Sequence, residues 1–141
     1  MFVYNESTGN FDLYYHLAGK DITLSCLHLD EKKNLWMGTT SNGLYCLSGD
    51  KKISQPVTRG NIASIYEDSS KELWICTWEE GLYRIKTDST IENFRHDPKN
   101  PNSICADFVR SCCEDNAGNL WIGTFHGLNR YEKSTGKFQL L

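Results

Sequence analysis

An all-β fold of repeated four-stranded units is predicted for this chain by three observations. First, aromatic residues make up 12% of the 141 residues and prolines number only three, a balance that suits pleated, half-buried strands. Second, a tryptophan-centred segment occurs three times, as Leu35-Trp36-Met37-Gly38-Thr39, Leu73-Trp74-Ile75-Cys76-Thr77 and Leu120-Trp121-Ile122-Gly123-Thr124. Each is followed by a glycine-led run: Gly43-Leu44-Tyr45, Gly81-Leu82-Tyr83 and Gly127-Leu128-Asn129. The tryptophans stand 38 and 47 residues apart, near the ~40–50 residue period of propeller blades. Third, Tyr4-Asn5-Glu6-Ser7-Thr8-Gly9-Asn10-Phe11 matches Tyr131-Glu132-Lys133-Ser134-Thr135-Gly136-Lys137-Phe138 in register. The expected architecture is therefore β-propeller-type. It has about three four-stranded blades plus an N-terminal half-blade in an incomplete ring, fourteen strands in all.

The elements follow in order. The half-blade, residues 1–20, carries the last two strands of a blade, because it matches the end of the third repeat. The blades span residues 21–57, 58–97 and 104–141. Each opens with an apolar run: Leu24 to Leu29, Ile62 to Glu67, and Val109 to Glu114. A turn follows, Asp30-Glu31-Lys32-Lys33-Asn34, Asp68-Ser69-Ser70-Lys71-Glu72 or Asp115-Asn116-Ala117-Gly118-Asn119. These are residue types that bond back to their own backbone or accept positive φ. The second strand holds the tryptophan, the third begins at Gly-Leu, and the fourth is marked by Ile53, Phe94 or Phe138, as by Phe11 in the half-blade. Glycine at 38 and 123 leaves room for close approach by a neighbour. No stretch shows sustained helical periodicity.

Composition excludes several function classes. The net charge is -3, without the basic stripe of a nucleic-acid binder. No apolar run reaches the 18 residues needed to span a membrane, and the first residues lack a signal-peptide pattern. The six cysteines contain no CxxC spacing, which argues against zinc and against thioredoxin-type redox chemistry. Cys76 occupies the place of Gly38 and Gly123, and Cys112 that of Leu27 and Ile65. Both read as buried packing residues, with a disulfide or reactive thiol as the alternative.

The third repeat, Glu114-Asp115, Gly118-Asn119-Leu120-Trp121-Ile122-Gly123-Thr124 and Gly127-Leu128-Asn129-Arg130-Tyr131, resembles the two-component regulator propeller repeat. The linker Phe94-Arg95-His96-Asp97-Pro98-Lys99-Asn100-Pro101-Asn102-Ser103 is similar to that family's connection between blades. The resemblance runs from Tyr4 to Phe138. Cys76 departs from the family glycine, and the first linker, Val57-Thr58-Arg59-Gly60-Asn61, lacks the Asp-Pro-x-Asn-Pro-Asn signature. The resemblance implies a fragment of the extracytoplasmic, periplasmic sensor of a hybrid histidine kinase, many of which respond to polysaccharide breakdown products. The expected partners are an oligosaccharide, and either a second copy of the chain or the remaining blades of a parent sensor. No nucleic acid or membrane contact is expected.

The loop between second and third strands varies from blade to blade: Thr40-Ser41-Asn42, Trp78-Glu79-Glu80, and Phe125-His126. Variation on a fixed scaffold is where binding commonly sits. Trp78 and Phe125 offer flat apolar faces, and Glu79, Glu80, His126 and Asn42 offer hydrogen-bonding groups, a combination suited to a polyhydroxylated ligand. The competing reading is that both rings cover the core or meet another domain. Trp36, Trp74 and Trp121, identically placed, read as blade packing. Asp30, Asp68 and Asp115 read as turn residues. His96 and Asp97 could form a catalytic pair, but they lie in a turn-rich connector. His16, His28 and His126 show no metal-ligand spacing, and no phosphate loop, nucleophile elbow or HExxH motif occurs. Arg84, Arg95, Arg110 and Arg130 are candidates for an acidic sugar. No catalytic residue, metal or cofactor is expected. A ligand-sensing propeller segment leads, ahead of a protein-interaction propeller and of a glycan-cleaving enzyme, for which the adjacent Glu79 and Glu80 are poorly placed to converge.

Overall fold

The computed structural model describes residues 2–13, 22–50, 52–55 and 57–141. Fourteen strands occur among them: β1 (Phe2–Asn5), β2 (Asn10–Leu13), β3 (Leu24–Leu29), β4 (Leu35–Thr39), β5 (Leu44–Leu47), β6 (Ile53–Ser54), β7 (Ile62–Glu67), β8 (Leu73–Thr77), β9 (Leu82–Ile85), β10 (Ile91–Phe94), β11 (Val109–Glu114), β12 (Leu120–Thr124), β13 (Gly127–Glu132) and β14 (Lys137–Leu140). They form a β1-β2 hairpin and three four-stranded antiparallel sheets, β3 to β6, β7 to β10 and β11 to β14. The fold is that of an incomplete propeller, without a closed ring. His16 and the end of the half-blade lie outside the described residues.

The first two turns of each blade have local causes. One oxygen of each turn aspartate accepts the amide four residues on, at 2.8 Å (Asn34), 3.0 Å (Glu72) and 2.9 Å (Asn119). The other accepts the indole N–H of the tryptophan six residues on, at 2.9, 2.8 and 2.7 Å. The carboxylate therefore ties the first hairpin to the ring at the centre of the second strand. At the next turn, Thr39, Thr77 and Thr124 donate their hydroxyls to the carbonyls of Gly43, Gly81 and Gly127 at 2.8, 2.7 and 2.9 Å. Gly43 has φ +77°, and a Cβ there would lie 1.8 Å from the Thr58 carbonyl oxygen, so the turn accepts no side chain.

The core lies between sheets. Alternation along each strand sends successive side chains to opposite faces. Trp36, Leu44 and Cys46 of the first sheet meet Ile62, Leu73, Ile75 and Ile85 of the second. Trp74, Cys76 and Leu82, on the second sheet's other face, meet Val109, Leu120, Ile122, Tyr131 and Phe138 of the third. Strands β3, β7 and β11 run side by side at the inner edge. Each breaks register with its neighbour at one residue, Ser25, Ala63 and Arg110 respectively. This repeated bulge is the feature that most affects the site, since bulges re-aim side chains.

Candidate functional site

Strand direction decides which loops share a rim. The residue after each second strand donates its amide to the residue before the matching first strand: Thr40 to Thr23 at 3.0 Å, Trp78 to Asn61 at 3.1 Å, and Phe125 to Phe108 at 3.1 Å. The variable loops and the blade-to-blade linkers therefore lie on one rim, beside the three bulges.

On that rim Trp78 and Phe125 come together with Phe108, Val109 and Arg110 around one shallow depression. Phe125 is 70% exposed and Phe108 41%. Their rings meet edge to face with centroids 5.7 Å apart. The Arg110 guanidinium lies 5.2 Å from the centre of the Trp78 ring, a cation–π contact. Next to it opens a groove of about 460 Å³ lined by Ser25, Thr40, Asn61, Ile62, Ala63, Trp78 and Arg110. It runs across all three first strands, and the three bulged residues are all in its wall. Aromatic faces, a guanidinium, two hydroxyls and a carboxamide thus converge on one surface, a set that can stack a ring and bond its substituents.

The other residues expected from the sequence go elsewhere. The Glu80 carboxylate turns back into the blade, accepting the Thr58 hydroxyl and, at 3.0 Å, the Tyr83 phenol. Burial and that carboxylate raise Tyr83 above its usual range. Glu79 is exposed, with its carbonyl accepting from Arg95 at 3.0 Å. Asn42 bonds Ser41 at 3.1 Å and gives its carbonyl to Gln55. His126 is exposed and is held through its amide by Thr124 at 3.2 Å. None of the four lines the groove. His96 Nδ1 bonds the Ile104 carbonyl at 2.9 Å, while Asp97 caps the Lys99 amide at 2.9 Å. These bonds fold the linker and do not join His96 to Asp97.

Ser25, Asn61, Ala63 and Phe108 were not expected at the site, Arg110 was one arginine among four, and Thr40 was part of a variable loop of which only Asn42 was singled out. Their signal was the one used for the loops, variation at equivalent repeat positions: 23, 61 and 108, and again 25, 63 and 110. A second groove, of about 370 Å³, lies between the turns of the first two sheets and is lined by Asp30, Glu31, Trp36, Glu67, Lys71 and their neighbours. Two of its charges are paired, Lys71 with Glu31 within the groove and Glu67 with His28 beside it. No group of three or more metal-ligating side chains converges among the described residues.

Comparison with known proteins bears on this geometry. Residues 57–79 and 103–126 match the family model described as two component regulator propeller. No curated protein sequence matches the chain. Among solved structures, an extracellular domain described as that of a hybrid two component system of B. thetaiotaomicron is similar at 20% identity and TM-score 0.75, over 84% of this chain and 18% of that one. A second such domain from the same organism is similar at 25% identity and TM-score 0.72, over 92% of this chain and 18% of that one. The chain thus spans about a fifth of those domains. Virginiamycin B lyase from Staphylococcus aureus shares the fold at 20% identity and TM-score 0.69, over 89% of this chain and 43% of the lyase. Family model and fold agree: residues 57–79 and 103–126 match the two component regulator propeller repeat, and the chain shares the propeller fold of those domains.

Proposed function

We propose that this chain is a non-catalytic, ligand-sensing propeller segment of an extracytoplasmic two-component sensor, and that its ligand is an oligosaccharide. The observation that carries this reading is the rim itself, where Trp78, Phe108, Phe125 and Arg110 adjoin the polar groove of Ser25, Thr40 and Asn61. A sugar ring stacks on the aromatic faces, and its hydroxyls take the place of water at Asn61, Ser25 and Arg110. Ligand that prefers one arrangement of the blades shifts the population toward it, and the attached signalling machinery responds to that difference. The likeness to sensor extracellular domains supports this reading. So does the exposure of Leu24, Leu27 and Leu29 on β3, a surface suited to cover by the remaining blades of a parent sensor.

Calorimetric titration of the chain against neutral and acidic oligosaccharides tests it. Saturable binding without product is expected. Trp78→Ala and Phe125→Ala should each weaken it about tenfold, the ~1.4 kcal/mol that one well-packed ring contributes. Glu79→Gln should bind like the parent. Glycan turnover would overturn the non-catalytic reading. Capture of a protein that needs Trp78, with no response to any saccharide, would favour the interaction module instead.

The lyase neighbour raises an enzymatic alternative on the same fold. The groove residues include no carboxylate or imidazole to serve as general acid or base, which weighs against a hydrolytic role at this rim.

A further inference from the structure

We propose that Cys76 and Cys112 form a disulfide that staples the second blade to the third in an oxidising medium. The two thiols come from different sheets, β8 and β11, and their sulfurs stand 3.7 Å apart. Cys76 is fully buried, and Cys112 packs on the same apolar cluster. The equivalent positions at the first interface are Gly38 and Ile65. The repeat has therefore replaced a glycine and a large aliphatic residue with two equal thiols at one blade-to-blade contact. Bonding requires the two sulfurs to close from 3.7 Å to about 2.05 Å.

The oxidant is a small external disulfide, of the kind an extracytoplasmic compartment supplies. The Cys76 thiolate attacks one of its sulfurs, forms a mixed disulfide and releases one thiolate. Cys112 then gives up its proton and attacks Cys76 Sγ, releasing the second thiolate. The protein loses two electrons and two protons, and the external disulfide becomes two thiols. A mixed disulfide does not fit the closed interface, so the exchange belongs to folding, before blades two and three close.

The consequence reaches the rim. Trp78 lies two residues beyond Cys76, and Arg110 two residues before Cys112. The bond would fix the two strands that carry the Trp78–Arg110 contact and would close a loop of 36 residues.

The test refolds the full chain in oxidised glutathione, alkylates free thiols, digests with trypsin and reads the peptides by mass spectrometry. The expected product joins residues 72–84 to residues 111–130 through Cys76 and Cys112, with Cys113 alkylated. The oxidised chain should melt on the order of 10 °C above the same chain in dithiothreitol, and that difference should vanish in Cys112→Ser. Complete alkylation of Cys76 and Cys112 would overturn the proposal. So would a link from Cys76 to Cys113 or Cys26. The reading holds or fails without regard to any saccharide.

Discussion

One carboxylate per blade carries two bonds whose loss is felt at once in a turn and in the tryptophan of the second strand. Asp68 is 2% exposed and also accepts Lys133 Nζ at 2.8 Å. Burial by itself would raise its pKa, but Lys133, Trp74 and the Glu72 amide outweigh that and hold it low. Asp30 behaves alike: burial pushes upward and the Trp36 and Asn34 bonds prevail. At Asp115 the Trp121 indole is the leading cause, and the carboxyl falls to about 2. Each group is more acidic folded than unfolded. Its stabilisation is present above the ordinary aspartate value of about 3.9 and is lost as pH falls through the lowered one. Thermal midpoints followed by circular dichroism should therefore drop between about pH 4 and pH 2, and Asp115→Asn should flatten part of that drop. Asp68→Asn leaves Lys133 with one fewer carboxylate and should cost about 1–3 kcal/mol at neutral pH, read from urea unfolding.

Strands in this fold are constrained by what the next blade places against them. A Cβ at Gly38 would lie 2.5 Å from Cys26 Sγ and 2.7 Å from Ile62 Cγ2, whereas at Gly123 the nearest atom is Ser111 Oγ at 3.4 Å. The two glycines stand at the same repeat position, yet only the first has a further described blade packed on it. Gly38→Ala should destabilise by about 1–3 kcal/mol through overpacking. Gly123→Ala should stay within about 0.5 kcal/mol of the parent. Denaturant midpoints of the two variants, measured side by side, check this. Equal costs would mean that the glycine serves the strand and not the interface. Cys76 shows how much room this position can acquire, since there the thiol packs against Cys112 across the second interface.

Across the whole molecule the two interfaces differ in kind. The second joins Trp74, Phe94, Tyr131 and Phe138 in one aromatic cluster, with neighbouring centroids 4.7 to 5.9 Å apart. Lys133 bridges Asp68 and Glu114 across it at 2.8 and 2.6 Å, and Ser69 donates to Glu114 from its amide at 2.7 Å and its hydroxyl at 3.0 Å. The first interface packs a largely aliphatic cluster about Trp36, with Ser25 donating to the Ile62 carbonyl at 2.7 Å and the His28–Glu67 and Lys71–Glu31 pairs at its edge. Stability in stacked repeats is close to a sum of unit and nearest-neighbour terms. Blades two and three should therefore open together and last in native-state hydrogen exchange, with the first blade opening at lower cost. Lys133→Ala should lower protection in β7, β8 and β11 and leave β4 and β5 unchanged. Uniform loss across all three sheets would show that the blades unfold as one unit.

The repeat made the strands legible. The runs expected for first and second strands, from Leu24 to Leu29 through Leu120 to Thr124, are the strands observed, because period-two alternation and turn chemistry are local. The variable loops and the blade-to-blade linkers share one rim for the same reason: strand direction follows from strand count. Local pattern does not decide which side chains meet across blades. Glu80 looked like a rim carboxylate, but Thr58 from the preceding linker and Tyr83 draw it inward. Phe108 and Arg110 join Trp78 and Phe125 because an inner-strand bulge and the packing of one sheet on the next bring them there. The Cys76–Cys112 contact arises in the same way, from two residues 36 apart in sequence. The sequence by itself determined strands, turns and the periodic core, whose causes act within a few residues. The tertiary structure decided the partners at the rim and between blades, because those depend on how one sheet's twist and side-chain volume fit the next.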